Sequence, residues 1–260
     1  MSTFLLQALT LFAAAFAAGA VNSIAGGGTL LTFPALIWIG LDPKIANATS
    51  TVALWPGLMG GLWGYRREME DSRALLVPLS LTSLVGGAVG TALLIWTPSD
   101  IFARLVPFLI LFATFLFMAQ ETISRRFGFG AKQVGNLPAR GWLLGAIIFQ
   151  FGAAIYGAYF GAGNGIVMLA TLGLIGVSDI HRANGIKTFL AIVLNSVAVV
   201  GFALSNLVSW PQALFMAVAA ITGGYFGASV ARRVGRVTVR RAVIVVGLII
   251  GCAMLLRLWL

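Results

Sequence analysis

Residues 22–36 read "NSIAGGGTLLTFPAL", three consecutive glycines (Gly26, Gly27 and Gly28) in an otherwise apolar run, with Pro34 six residues further on. Glycine is the poorest helix former short of proline, so three together end a helix here. The stretch "AGNGI" at 162–166 repeats the interruption after a shift of 137. At that same ungapped shift Asp42, Ala46, Asn47 and Thr51 fall on Asp179, Ala183, Asn184 and Thr188, and Arg104 falls on Arg241. Gly64 meets Gly201, Gly86-Gly87 meet Gly223-Gly224, and Gly90 meets Gly227. Shared glycines carry little weight in a chain with 32 of them, but the Asp-x-x-x-Ala-Asn match at one constant shift does. The chain reads as two copies of one unit, an internal repeat.

Each copy divides into five apolar segments, at about 4–24, 29–41, 44–64, 74–96 and 100–120, and again at about 140–161, 166–178, 182–206, 211–231 and 238–259. The second segment of each copy holds roughly 13 residues, or roughly 20 Å of helix, short of the roughly 30 Å hydrocarbon core. The expectation is an all-α polytopic integral membrane protein with about eight full transmembrane helices plus two short or re-entrant ones. Its first repeat is 1–120, a basic cytoplasmic linker is 121–139, and the second repeat is 140–260.

Composition agrees, with 60 % of the 260 residues hydrophobic and 9 % charged, too few charges for a water-exposed surface. The opening "FLLQALTLFAAAFAAGA" reads as a first membrane segment rather than a cleaved signal, since no Lys or Arg precedes it. One Cys (Cys252) and one His exclude an internal disulfide and a Cys/His metal cluster, so no cofactor is expected. The net charge of +10 sits in the gaps between apolar runs without interleaved stacking aromatics, which argues against nucleic acid.

Five segments per copy force the two copies into opposite orientation, an inverted-topology repeat. With the linker placed in the cytoplasm (Arg125, Arg126, Lys132, Arg140), Arg66, Arg67, Arg73, Arg182, Lys187, Arg232, Arg233, Arg236, Arg240 and Arg241 also fall inside. That makes 14 basic residues inside against three outside (Lys44, Arg104, Arg257), the bias of the positive-inside rule. Both termini are then outside. Trp55, Trp63, Trp96, Trp142, Trp210 and Trp259 lie near segment ends and read as interfacial anchors. Gly86-x-x-x-Gly90 and Gly223-x-x-x-Gly227 read as helix-packing motifs.

A helix break in hydrocarbon is tolerated only where its freed amides and carbonyls face protein or a watery cavity, and amides at a half-helix start attract anions. Gly26, Gly27 and Gly28, with Gly163, Asn164 and Gly165, are therefore candidate substrate-binding residues. Asn47, Ser50 and Thr51 share one helix face at i, i+3 and i+4, and Asn184, Lys187 and Thr188 occupy the matching positions. Lys187 replaces Ser50 and breaks the symmetry with one positive charge, either snorkelling to the cytoplasmic edge or facing the cavity. Secondary candidates are Asn22, Gln150, Tyr156, Tyr159 and Asn195. Asp42 and Asp179 read as helix N-caps, and His181 as a rim residue.

The stretch "VNSIAGGGTLLTFPALIWIGLDPKIANATS" and its partner "YFGAGNGIVMLATLGLIGVSDIHRANGIKT" resemble the paired signature of the sulfite exporter TauE/SafE family over nearly the whole chain. The motif positions carried over are Gly26, Gly27, Gly28, Pro34, Asn47, Gly163, Gly165 and Asn184. The second copy departs at Asn164, where a glycine is expected, and at Thr171, opposite Pro34. The resemblance implies a multi-pass permease of the cell inner membrane for sulfite, sulfoacetate or related sulfur-containing anions. The expected partners are a small anionic substrate and the lipid bilayer; a homo-oligomer is compatible with this. Alternating access around the two breaks is the leading mechanism, with a passive anion channel as the alternative. A membrane-embedded enzyme such as a lipid phosphatase ranks last, because it needs acids, His or Arg clustered at one depth and the seven acids fall at rims and loops.

Overall fold

The computed structural model describes residues 2–24, 26–65, 72–126, 140–177, 179–234 and 236–259. Among them every regular element is a helix: α1 (Ser2–Ile24), α2 (Thr29–Trp38), α3 (Pro43–Gly64), α4 (Arg73–Trp96), α5 (Ser99–Arg126), α6 (Arg140–Tyr159), α7 (Asn164–Leu174), α8 (Ile180–Leu204), α9 (Trp210–Val234) and α10 (Arg236–Trp259). Adding 137 to the bounds of α1–α5 lands within a few residues of those of α6–α10. Four helices carry stretches long and apolar enough to cross a membrane: Phe4–Asn22, Leu75–Trp96, Ser99–Thr122 and Ile180–Leu204. Thr29–Trp38, Leu144–Tyr159 and Asn164–Leu174 are shorter apolar helices.

Local chemistry sets several of these ends. The Asp42 carboxylate accepts from the amides of Lys44 and Ile45 at 2.9 and 3.3 Å and starts α3, with Pro43 at the first helical position. Asp179 does the same for α8, accepting from the Arg182 amide at 2.8 Å. Both aspartates are thus N-caps, as their spacing predicts. At the end of α4 the Lys44 ammonium donates to the carbonyls of Ile95 and Thr97 at 2.7 and 2.8 Å, satisfying acceptors that the helix leaves over. α5 continues to Arg126, so the first six residues assigned to the linker are helical. The rest of that linker, 127–139, lies outside the described residues, as do Arg66, Arg67 and Lys132 of the charge argument.

Residue pairs fix the helix directions. α1 runs parallel to α9: Phe12 stacks near Phe215 at 6.0 Å, and Gly19 and Gly223 face the carbonyls of Ala220 and Phe16. Their counterparts α6 and α4 are also parallel, with Gly86 against Ala154 and Gly90 against the carbonyl of Ile155. α3 and α8 cross antiparallel, because Trp55 donates to the Ile192 carbonyl at 3.2 Å while Tyr65 lies 6.5 Å from His181. Trp55 and Ile192 are themselves 137 residues apart. α5 and α10 are antiparallel too, joined by Gly247 against Thr114 and by the Arg240–Glu121 ion pair at 3.2 Å.

Small residues let these backbones touch where lipid supplies no hydrophobic drive between helices. Gly90→Leu should therefore destabilise the protein by about 1–3 kcal/mol through overpacking, because a Cβ there meets backbone. The check is the detergent melting temperature: it should fall by several degrees, while Gly60→Leu, with nothing within 4 Å of its Cβ, leaves it unchanged or raised. Trp63 and Trp96 are 70 % and 78 % exposed at helix ends, as membrane-facing anchors should be. Trp55 corrects that expectation: it sits between α3 and α8, not at a surface.

Candidate functional site

Both glycine interruptions separate a long helix from a short one, and they meet. A Cβ placed on Gly26 would stand 2.9 Å from the Gly165 Cα, and one on Gly27 would stand 3.2 Å from the Gly163 nitrogen. Gly26, Gly27, Gly161 and Gly163 all have positive φ, from +73° to +108°, which glycine adopts without the steric penalty of other residues. The backbone at these turns is held by side chains. Asn22 Oδ1 accepts from the Gly27 and Gly28 amides at 2.9 and 2.7 Å. At the other turn the Tyr156 hydroxyl donates to the Ala162 carbonyl at 2.6 Å. The expectation of glycine amides presented directly to a substrate thus needs a correction at the first break: all three already have a partner, the Gly26 amide donating to the Val21 carbonyl at 3.2 Å.

Where the breaks meet α3 and α8 lies a pocket of about 70 Å³. A buried water needs roughly 10–15 Å³ of such space, so this is room for a few waters or one small solute. Of the residues singled out in the sequence, Gly26, Gly27, Thr51, Asn164, Gly165, Lys187 and Thr188 line it, together with Asn22 and Asn195 from the secondary group. Gly28, Asn47, Ser50, Gly163 and Asn184 do not line it. Ser50 bonds Thr32 at 2.6 Å, and Asn47 donates to the Tyr159 carbonyl at 2.9 Å, which ties α3 to the end of α6. Asn184 supports the pocket from behind by accepting from Lys187. Gln150 bonds Ser83 between α6 and α4, and the Tyr159 hydroxyl reaches Thr97 at 3.4 Å, so with Tyr156 these three brace α6 instead of facing the pocket.

Sequence reasoning missed Leu54, Trp55, Leu58 and Ala191, which also line the pocket, along with Thr29, Gly157 and Gly161. The signal was available: 51, 54, 55 and 58 form one helical face, as do 188, 191 and 195. These faces correspond at the repeat shift, Thr51 with Thr188, Leu54 with Ala191, and Leu58 with Asn195. Position is shared but chemistry is not. Beyond the shared threonine, the α3 wall is Leu54, Trp55 and Leu58, while the α8 wall is Lys187, Ala191 and Asn195.

Lys187 decides the electrostatics. Its side chain is 3 % exposed, which rules out the snorkelling alternative, and its Nζ donates to Asn184 Oδ1 at 3.1 Å. Among the described residues no carboxylate pairs with it, so of three ammonium donors the protein uses one. An unpaired buried ion costs several kcal/mol. Asn164 stands opposite, 5 % exposed, with no hydrogen-bond partner for its Oδ1. The side chain packs against Gly157, the only residue small enough there, since a Cβ would overlap the Asn164 amide.

Comparison with known proteins places this architecture in context. The pattern of the sulfite exporter TauE/SafE family matches residues 11–254. A Haemophilus influenzae protein named "Probable membrane transporter protein" is 27% identical over 246 residues, covering 94% of this chain and 92% of that protein. The Sinorhizobium "Probable membrane transporter protein ORF9" is 26% identical over 261 residues, 96% and 95% of the two chains. The "Probable membrane transporter protein YfcA" of Escherichia coli K12 is 25% identical over 247 residues, 94% and 88% of the two chains. No solved structure matches the chain.

Proposed function

The chain belongs to the sulfite exporter TauE/SafE family of membrane transporters, and on that premise we propose that it carries small sulfur-containing anions, sulfite or short organosulfonates such as sulfoacetate, across the cell inner membrane. The observation that carries this reading is Lys187: a buried ammonium beside a small pocket, with no acid of the described protein to neutralise it. A cation carrier needs carboxylates at that depth. The pocket offers a sulfonate or sulfite group two donors, the amide of Gly165 and the Lys187 ammonium; the Thr51 and Thr188 hydroxyls already donate to the carbonyls of Asn47 and Asn184, at 3.0 and 2.8 Å. Leu54, Trp55 and Leu58 supply an apolar wall for a short carbon chain, which favours an organosulfonate over an inorganic ion.

The proposed mechanism is alternating access between two antiparallel copies. Supporting it are the constant shift of 137, the antiparallel crossing of α3 and α8 at the equivalent residues Trp55 and Ile192, and the parallel pairs α1 with α9 and α4 with α6. If α1–α5 alternate in direction, α6 enters opposite to α1, and those pairings follow. Both termini then face outside, with the basic loops inside. The two breaks meet where the copies meet, so rocking one copy against the other would expose the pocket to either side in turn.

The test is flux through purified protein in proteoliposomes. Radiolabelled sulfite and sulfoacetate should enter and should show counterflow, faster uptake when the same unlabelled anion is inside. Flux without counterflow would identify a channel, and no flux of either anion would reject the proposal.

A further inference from the structure

The two breaks are equivalent in sequence position but not in how their amides are filled. At the first, Asn22 reaches forward five and six residues and its Oδ1 accepts from both Gly27 and Gly28, at 2.9 and 2.7 Å. Two amides converging on one oxygen is the arrangement that otherwise receives an oxygen of an anion. Asn22 and Gly27 both line the pocket, so the oxygen filling that pair of donors and any solute there share one space. At the second break the equivalent of Gly28 is Gly165, and the equivalent of Asn22 is Tyr159. The Tyr159 side chain turns away to Thr97 and Phe102, and the Gly165 amide has no hydrogen-bond partner among the described residues. Gly165 lines the same pocket as Lys187.

We propose that Asn22 is a displaceable internal ligand: its side-chain carbonyl occupies the donor pair of Gly27 and Gly28 in the place of a substrate oxygen, and leaves when the anion passes from the Lys187–Gly165 side to the first break. This deepens the anion-carrier reading and rests on it. A neutral oxygen suits the task. It satisfies two buried amides in the unloaded protein and yields to an anionic oxygen, whose hydrogen bonds to the same amides are about twice as strong. The asymmetry gives the anion a first station at the second break, whose amide no side chain fills, and a second station that must be vacated before use.

The sign of one measurement separates this role from simple support of the turn. With purified full-length protein and radiolabelled sulfoacetate, Asn22→Ala should tighten equilibrium binding about tenfold, because two hydrogen bonds no longer have to be surrendered. In proteoliposomes the same variant should lower KM and turnover together, since release slows. A brace for the turn predicts the reverse, weaker binding and a higher KM. Asn22→Asp keeps the acceptor geometry and makes it permanent. It should therefore weaken binding at least ten times more than Asn195→Asp, which adds the same charge to the same pocket away from these amides.

Unchanged or weaker binding in Asn22→Ala, or failure of that variant to fold, overturns the proposal, as does equal loss in the two aspartate variants. If wild-type protein binds neither sulfoacetate nor sulfite, the anion-carrier reading falls and this inference falls with it. If the wild type binds and only the Asn22 signs are wrong, this inference alone fails.

Discussion

Gly26→Ala should reduce anion flux by a factor on the order of 100, the scale on which a misplacement of about 1 Å disables a positioned site. A single methyl suffices because of where it lands. Its nearest neighbours are the Cα and nitrogen of Gly165, at 2.9 and 3.3 Å, and backbone cannot swing aside as a side-chain tip can. The methyl thus wedges the two breaks apart at their point of contact. Alanine at φ +76° also pays a left-handed strain of about 1–2 kcal/mol, which must be separated from the wedge. Gly40→Ala makes that separation: φ is +95° and nothing lies within 4 Å of the added carbon. Gly40→Ala should lose some stability and keep its flux. Equal flux in both variants would mean that the contact between the breaks is irrelevant to transport.

Lys187→Met should weaken sulfite and sulfoacetate binding about 100-fold, or about 2.7 kcal/mol, in the range for removing one member of a buried charge pair. Its effect on stability should have the opposite sign. Without an anion the wild-type ammonium is buried at 3 % exposure with only the Asn184 carbonyl oxygen to receive it, whereas methionine fills a similar volume at no desolvation cost. The unliganded variant should therefore melt at the same temperature as wild type or higher. Added sulfoacetate should raise the wild-type melting temperature and leave that of the variant unmoved, because only a state that binds is stabilised. A variant that binds normally would show that Lys187 serves the helix interface and not the solute.

Much of this was legible in the residues. Asp42 and Asp179 announced the starts of α3 and α8 because an aspartate before a helix has one dominant use, accepting from the first free amides. The three glycines announced the break between α1 and α2 for the equally local reason of helix propensity. That Thr51 and Thr188 occupy matching helix faces followed from their spacing and the repeat, whereas the spacing left Lys187 between the cytoplasmic edge and the cavity, and its burial in the fold decides for the interior. What was not legible depends on contacts between distant segments. Nothing near Asn47 or Ser50 indicates that the Asn47 side-chain nitrogen is taken by the Tyr159 carbonyl and the Ser50 hydroxyl by Thr32. The reading of Trp55 as an interfacial anchor fails because the residue lies well inside α3, Pro43–Gly64, where its indole pairs with Ile192 at the helix crossing. The capping of Gly27 and Gly28 by Asn22 likewise needs a turn whose shape the sequence does not specify.

The most direct measurement is an experimental structure of the full chain saturated with sulfoacetate. The sulfonate should lie in the pocket between the two breaks, one oxygen within hydrogen-bonding reach of Lys187 Nζ and another facing the Gly165 amide, with the carbon chain against Leu54 and Leu58. A sulfonate bound instead at the surface near His181 and Arg182, with Lys187 still joined only to Asn184, would contradict the account.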